Sequence, residues 1–413
     1  MKNRIRFREI EANRGFWALL ALMGTLIGLA ALAFFYLKIY GHVATGMNNQ
    51  IVWGLPHVFA ILMIVAASGA LNVASIGSVF GRKVYKPLAP LSGLLAVTLL
   101  IGGLAVLVLD LGRPDRLIIA MTHYNFKSIF AWNIILYNGF LVIVALYLWT
   151  LMERRMNRYS KPVGLAAFLW RLILTTGTGS IFGFLVARDA YDAAILAPMF
   201  ILMSFSIGLA VYLLTLMAAA SGNNRPIGHH IMNRLKNLLG IFIAGVLYFV
   251  VVFHVTNLYS EQNAVASRFI LAGGTEHTTI FWLVYVVIGS LLPLAILFAP
   301  QTAGNPRAIG LASVLTVIGG AGLLYVIIIG GQALPLQLFP GMEVSSSFAD
   351  GQVNAYTPSL PEILLGVGGV ALFVAMTAVA MAVLRFLPES LADDKLDPHY
   401  SAESTQEEAA AKA

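Results

Sequence analysis

Cysteine is absent from all 413 residues. Disulfides, thiolate-ligated iron–sulfur clusters and thioether-attached haem are therefore excluded from this chain, and any electrons that pass through it use non-thiolate groups or centres on partner proteins. Charge is also scarce. Asp, Glu, Lys and Arg supply 11% of residues against 59% hydrophobic ones, where a soluble domain carries about 25% charged residues, so a water-soluble fold is excluded. A phosphate-cradling P-loop, a GxGxxG after a strand and an HExxH zinc motif are all missing, and with them the common soluble-enzyme classes. No metal-ligating cluster stands out. The net charge of +7 has no aromatic-interleaved basic domain behind it, so no nucleic-acid partner is expected.

What is present is a series of ten apolar runs, at about 16–37, 51–79, 88–109, 128–152, 163–186, 193–220, 238–259, 280–299, 308–330 and 363–387. Most are long enough to cross ~30 Å of hydrocarbon as helices. A β-barrel would need short segments of strict in/out alternation, and these runs are continuously apolar. The expected fold is all-α: a polytopic membrane bundle of about ten helices, embedded in the lipid bilayer. The first run follows a basic N-terminus but exceeds a signal-peptide core and lacks a clear small-residue cleavage site, so it is expected to be a retained helix.

Lys and Arg set the orientation. The N-terminus, the even-numbered loops and the C-terminus carry 19 of the 26, the opposite loops carry 6, and Arg171 lies inside the fifth run. Both termini are thus expected in the cytoplasm of a bacterium, with the chain multi-pass in its inner membrane. The organisation is a cytoplasmic segment 1–15, a transmembrane domain 16–387, and a polar tail 388–413 expected to be disordered or weakly helical. The long loop from Gly331 to Glu362, with Pro335, Pro340, Pro358, Pro361 and Ser345–Ser347, is expected to be an ordered cap or docking loop.

Ionisable groups inside a membrane are costly, and here they gather toward the outer end of the runs. At 1.5 Å per residue His57 lies about 9 Å into the second run and His254 a similar distance into the seventh. Asp110 closes the third run, Asn133 and Tyr137 open the fourth, and Arg188, Asp189, Asp192, Glu261, Glu276 and His277 share that layer. Arg171 is expected to snorkel to the interface. Ser68, Asn72 and Ser75 follow His57 on one helical face and form a candidate water or proton path. Structural alternatives exist for each. His57 follows Pro56 and can hydrogen-bond a freed carbonyl, His254 can be a packing partner, Asp110 with Arg113, Asp115 and Arg116 can be a salt-bridged loop, and the serine/asparagine stripe can be helix-packing glue. The run TTGTGSIFG at 175–183 favours close helix packing through small residues.

Three segments, VLDLGRPDR at 108–116, IFAWNIILYNGF at 129–140 and AAILAPMFILMSFSIGLA at 193–210, resemble the NrfD/PsrC family of membrane anchors. The likeness covers a core of about 51–330. The chain adds a span at each end relative to the eight-span type, as longer members do, and TTGTGSIFGFLVARDAYDAAILAPMFI is most similar to the DsrP type found in sulfur metabolism. The resemblance implies a quinone-binding subunit of a quinone-linked oxidoreductase complex, not catalytic alone. Its exchangeable substrate would be ubiquinone or menaquinone. Its partners would be a periplasmic ferredoxin-like iron–sulfur subunit and further subunits including cytochromes. The family's histidine on its first common helix maps onto His57, Asn133 and Tyr137 become quinone-site candidates beside His254, and Asp110 and Arg113 match the loop motif. Where hydrogenase-type members carry a histidine in span five, Thr175 and Thr176 stand here.

These residues assemble into an expected mechanism. His57 hydrogen-bonds a quinone carbonyl and exchanges a proton with it. Asp110, with Arg113, Asp189 and Asp192, passes that proton to the outer aqueous phase. Two rival readings remain. One is a secondary transporter, which calls for broken helices and a midplane site. The other is a haem b subunit with His57 and His254 as axial ligands.

Overall fold

The computed structural model describes residues 5–302, 304–335 and 351–396. Among them are ten helices long and apolar enough to cross a membrane: α1 (Arg14–Tyr40), α2 (Leu55–Ser78), α3 (Lys83–Leu109), α4 (Ile129–Met152), α5 (Asn157–Gly183), α6 (Leu196–Gly222), α7 (His229–Tyr259), α8 (Glu276–Phe298), α9 (Pro306–Ala333) and α10 (Leu360–Val383). They correspond one for one with the apolar runs, and the protein is a multi-pass helical membrane protein. Boundaries shift where backbone chemistry overrides hydropathy. Residues 51–54 are not helical, and α2 starts at Leu55 with Pro56 in its first turn, where the missing N–H costs nothing. His57 therefore sits within the first turn, only about 3 Å from the helix start, rather than 9 Å deep.

The helices close into two four-membered rings. In the first, α2, α3, α4 and α5 pack in sequence and α5 returns to α2; in the second, α6, α7, α8 and α9 do the same. The rings join through α2 against α6 and α9 and through α5 against α6, while α1 and α10 pair and lean on α3 and α2 through α10. Consequently α2 is buried along almost its whole length and α1 is mostly exposed. Close approach at the junction depends on missing side chains. A Cβ on Gly69 would stand 1.5 Å from the Ser204 carbonyl oxygen, and one on Gly208 2.5 Å from the Gly69 Cα. The small residues of α5 act likewise, since a Cβ on Gly179 would lie 2.8 Å from Ala197 Cα.

Both termini lie at one end of the bundle. There β1 (Phe7–Arg8) pairs antiparallel with β2 (Leu387–Pro388), and the Arg225 guanidinium donates to the carbonyls of Arg8, Glu9 and Leu387. The Asp393 carboxylate accepts from the His229 and His230 amides at 2.9 and 3.0 Å, capping α7. The start of the polar tail is thus folded and includes the short helix Asp393–Leu396. Leu391 and Leu396 are buried, and an anchored leucine pair plus a helix cap is enough to dock it. Residues 397–413 lie outside the described residues, as do Pro340 and Ser345–Ser347 of the long loop. The flanks of that loop are ordered: Gly331–Ala333 complete α9, and Tyr356 is buried.

Candidate functional site

At the end of the bundle opposite the termini, the loop after α3 and the first turn of α2 bring two titratable groups together. Asp110 caps the C-terminal end of α3, where its own amide bonds to the Val106 carbonyl. The partial negative charge of a helix C-terminus is an unfavourable place for a carboxylate. The Asp110 side chain is nevertheless only 2% exposed, with Oδ2 at 3.2 Å from His57 Nδ1. The contact is close but its angles are not those of a hydrogen bond, so His57 Nδ1 and both Asp110 oxygens keep unfilled hydrogen-bonding capacity. A second histidine completes the group. His42, in the turn between α1 and α2, donates from Nε2 to the Asp110 carbonyl at 2.8 Å and lies 4.0 Å from Oδ1. His57 and His42 are 26% and 39% exposed at the side chain, so the arrangement is a buried acid between two reachable imidazoles.

An aromatic wall backs the pair. Trp53 stacks on His57 at 6.2 Å between ring centroids and on Tyr191 at 6.5 Å, and meets Phe130 and Phe182 edge-on at 6.1 and 5.9 Å. The non-helical segment 50–53 carrying Trp53 would leave its backbone groups unpaired, and Gln332 at the end of α9 supplies the partners. Its Oε1 accepts from the Val52 and Trp53 amides at 2.9 and 3.0 Å, and its Nε2 donates to the Trp53 carbonyl at 3.0 Å. Arg188 adds bonds to the Gln50 and Gln332 carbonyls; burial holds its guanidinium below the usual arginine range. On the other side of α2, Glu362 is fully buried. It accepts from the Gly46 amide at 2.7 Å, from Ser359 and from the Tyr356 hydroxyl at 2.7 Å. That hydroxyl in turn accepts from the Leu55 amide. Burial pushes the Tyr356 phenol well up, which keeps it protonated as the donor.

The remaining sequence-derived candidates are distributed differently. Asn133 Nδ2 donates to the Ile129 and Gly177 carbonyls while its Oδ1 is buried without a partner. Tyr137 faces Thr178 at 3.4 Å. The Asn133 Nδ2 and the Tyr137 hydroxyl are engaged in the α4–α5 seam, and among the described residues no hydrogen bond joins either residue to His57. They sit inward of Phe130, which touches Trp53. Arg113 turns away from Asp110 and pairs with Asp115 at 2.9 Å, and its guanidinium lowers the Asp115 carboxyl to about 2. Asp189 and Asp192 are half-buried in the turn after α5.

The serine/asparagine stripe surrounds Arg171. Ser68 Oγ meets Thr175 Oγ1 at 2.5 Å, and Asn72 Oδ1 accepts from the Arg171 guanidinium at 2.9 Å, whereas Ser75 bonds back to its own helix at Leu71. Arg171 is 0% exposed, midway along α5, with Phe168 and Phe205 each 4.9 Å from the guanidinium carbon. This corrects the expectation that it snorkels: halfway along α5 the side chain cannot reach either interface, and two aromatic faces with an amide oxygen stand in for water.

His254 belongs to the second ring. Its Nδ1 lies 3.1 Å from Ser267 Oγ, and its ring is wedged against Phe253 and Phe281. The adjoining apolar void has a volume of about 20 Å³, room for about one water. The two histidines thus stand in different rings with different partners, and they do not fit a shared bis-histidine haem site.

Sequence reasoning missed His42, Trp53, Gln332 and Glu362. Signals existed for two of them: Ser359 and Glu362 form the S-x-x-E capping box before α10, and Gln332 is a lone amide ending an apolar run.

Comparison with known proteins bears on this same arrangement. The chain is 26% identical to the Hdr-like menaquinol oxidoreductase integral membrane subunit of Archaeoglobus fulgidus, over 95% of this chain and 99% of that protein. It is 28% identical to a putative dimethyl sulfoxide reductase membrane subunit of Halobacterium salinarum, over 91% of each. It is 24% identical to the protein NrfD of Escherichia coli, over 69% of this chain and 96% of that one. Residues 43–335, spanning α2 to α9 and both rings, match the family described as Polysulphide reductase, NrfD, and the chain belongs to that family.

Proposed function

We propose that this protein is the quinone-interacting membrane subunit of a multisubunit redox complex, with the quinone head group bound beside His57 and Trp53. The observation that carries this is the His57–Asp110 pair, a buried carboxylate held against an imidazole that stays reachable from outside the bundle. The names of the relatives, one a menaquinol oxidoreductase subunit and one a dimethyl sulfoxide reductase membrane subunit, support the same reading.

With Nδ1 turned to Asp110, His57 offers Nε2 to a quinone carbonyl. Trp53 provides a flat surface for the ring, and the exposed Phe130 beside it, with the exposed Leu111 next to Asp110, would leave a lateral way in for an isoprenoid tail. Reduction of a quinone takes two electrons and two protons. The electrons come from a cluster on a partner. Each proton is given at His57 Nε2, the Asp110 carboxylate steadying the imidazolium before transfer, and His42 links Asp110 to the aqueous phase. Quinol oxidation runs the same steps in reverse. The orphan Oδ1 of Asn133 is an acceptor for a quinol hydroxyl. The chain would lie in a bacterial inner membrane with the His57 end in the periplasm, beneath a ferredoxin-like iron–sulfur subunit and beside cytochrome subunits, serving menaquinone or ubiquinone in sulfur metabolism.

The test uses His57→Gln and Asp110→Asn in the intact complex. Quinone-dependent electron transfer falls by about 10²–10⁴-fold, the usual worth of a positioned acid–base group, while subunit assembly is unchanged and extracted lipids of the wild type contain quinone. Full turnover in both variants with no bound quinone overturns the reading, and a haem absorption band lost in His57→Gln turns it toward a cytochrome.

A further inference from the structure

The end of the bundle that carries β1 and β2 holds an open cavity of about 620 Å³ lined by the ends of α2, α3, α4 and α5 and by Phe7 of β1. That volume lies within the roughly 300–1,000 Å³ range of small-ligand sites and is far larger than the void beside His254. Its polar lining is one-sided: Lys86 and Lys161 stand at the rim, Ser78, Ser160 and Tyr147 within, and no carboxylate contributes. α5 starts beside the cavity at Asn157 with no side-chain cap, so the partial positive charge of that helix start adds to the two ammonium groups. Deeper in, Tyr147 is 1% exposed, and among the described residues its hydroxyl makes no well-formed hydrogen bond, with Ser78 beside it. A buried hydroxyl without a good partner is costly, which favours an acceptor atom on a ligand there. Gly164 makes the room: a Cβ there would lie 2.9 Å from Ser78 Oγ and 3.0 Å from Tyr147 Cε2.

We propose that this cavity binds a phosphate group of net negative charge, with the lysines at the rim as counter-ions and the Tyr147 hydroxyl as a buried donor. The chemistry is that of an anionic phospholipid headgroup or of soluble phosphate, and the experiment separates the two. The intact complex is incubated in detergent with phosphatidylglycerol, phosphatidylcholine or inorganic phosphate, and retained adducts are counted by native mass spectrometry. Wild type is compared with a Lys86→Gln, Lys161→Gln pair and with Tyr147→Phe, whose unchanged melting temperature shows that the fold is intact. Phosphatidylglycerol is expected to be retained over phosphatidylcholine, with apparent affinity falling about tenfold, near 1.4 kcal/mol, in the lysine pair and also falling in Tyr147→Phe. Survival of that adduct in excess inorganic phosphate assigns the site to lipid, and its displacement, with the same sensitivity to the variants, assigns it to soluble phosphate. Equal retention of both lipids, or equal retention in wild type and variants, overturns the proposal.

Discussion

At Asp110 the two histidines have separable duties, because only His57 faces the aromatic wall while His42 reaches outward from the α1–α2 turn. On the proposed mechanism His42→Ala is expected to slow turnover less than His57→Gln, by about tenfold, since it would remove an outer proton relay and leave His57 in place. External imidazole should restore part of the rate in His42→Ala and none in His57→Gln; equal rescue of both would remove the distinction. Arg171 makes a different residue-scale prediction. Its described side-chain acceptor is Asn72, and hydrogen bonds to charged groups are worth about 1.5–3 kcal/mol. Asn72→Leu should lower the melting temperature of the solubilised protein, and adding Arg171→Met should recover most of the loss because the buried cation goes with its partner. A double variant no better than Asn72→Leu alone would show that Arg171 stabilises through its aromatic neighbours.

Among the elements, hydropathy made the helices legible and the connections illegible. All ten spans follow from twenty-residue apolar runs, since only a helix satisfies the backbone in lipid. The layer of polar groups at the end opposite the termini is likewise visible in the positions of His57, Asp110 and Asn133. What periodicity cannot supply is which polar group meets which. Asp110 finds His57 and not Arg113, because the loop turns the guanidinium toward Asp115. Residues 51–53 read as part of an apolar run, yet Gln332, 280 residues from Val52 in sequence, holds them as non-helical chain and so decides where α2 starts and which way Trp53 points. Gln332→Ala would strand two amides and a carbonyl, at about 1–3 kcal/mol for each buried group left unpaired. The expected result is faster amide exchange at residues 52 and 53 and weakened quinone retention with His57 and Asp110 untouched. Unchanged exchange would show that Asn48, Gln50 and Arg188 hold the segment without the Gln332 side chain.

For the whole molecule, the family match ends at residue 335, and α10 lies beyond it. Glu362 at the head of α10 ties the added helix to Gly46, a few residues from His42, so the outer helix pair also steadies the Asp110 group. Which side of the membrane that group faces decides where the partner docks and where protons are exchanged. The Lys and Arg distribution predicts cytoplasmic termini, and the absence of cysteine makes this testable without first building a cysteine-free background. Lys127→Cys, in the loop before α4 at the His57 end, should react with a membrane-impermeant maleimide in intact spheroplasts, whereas Arg155→Cys, in the loop between α4 and α5, should react only after lysis. The reverse pattern would invert the chain, place the His57–Asp110 group on the cytoplasmic side, and move the proposed partner subunit there.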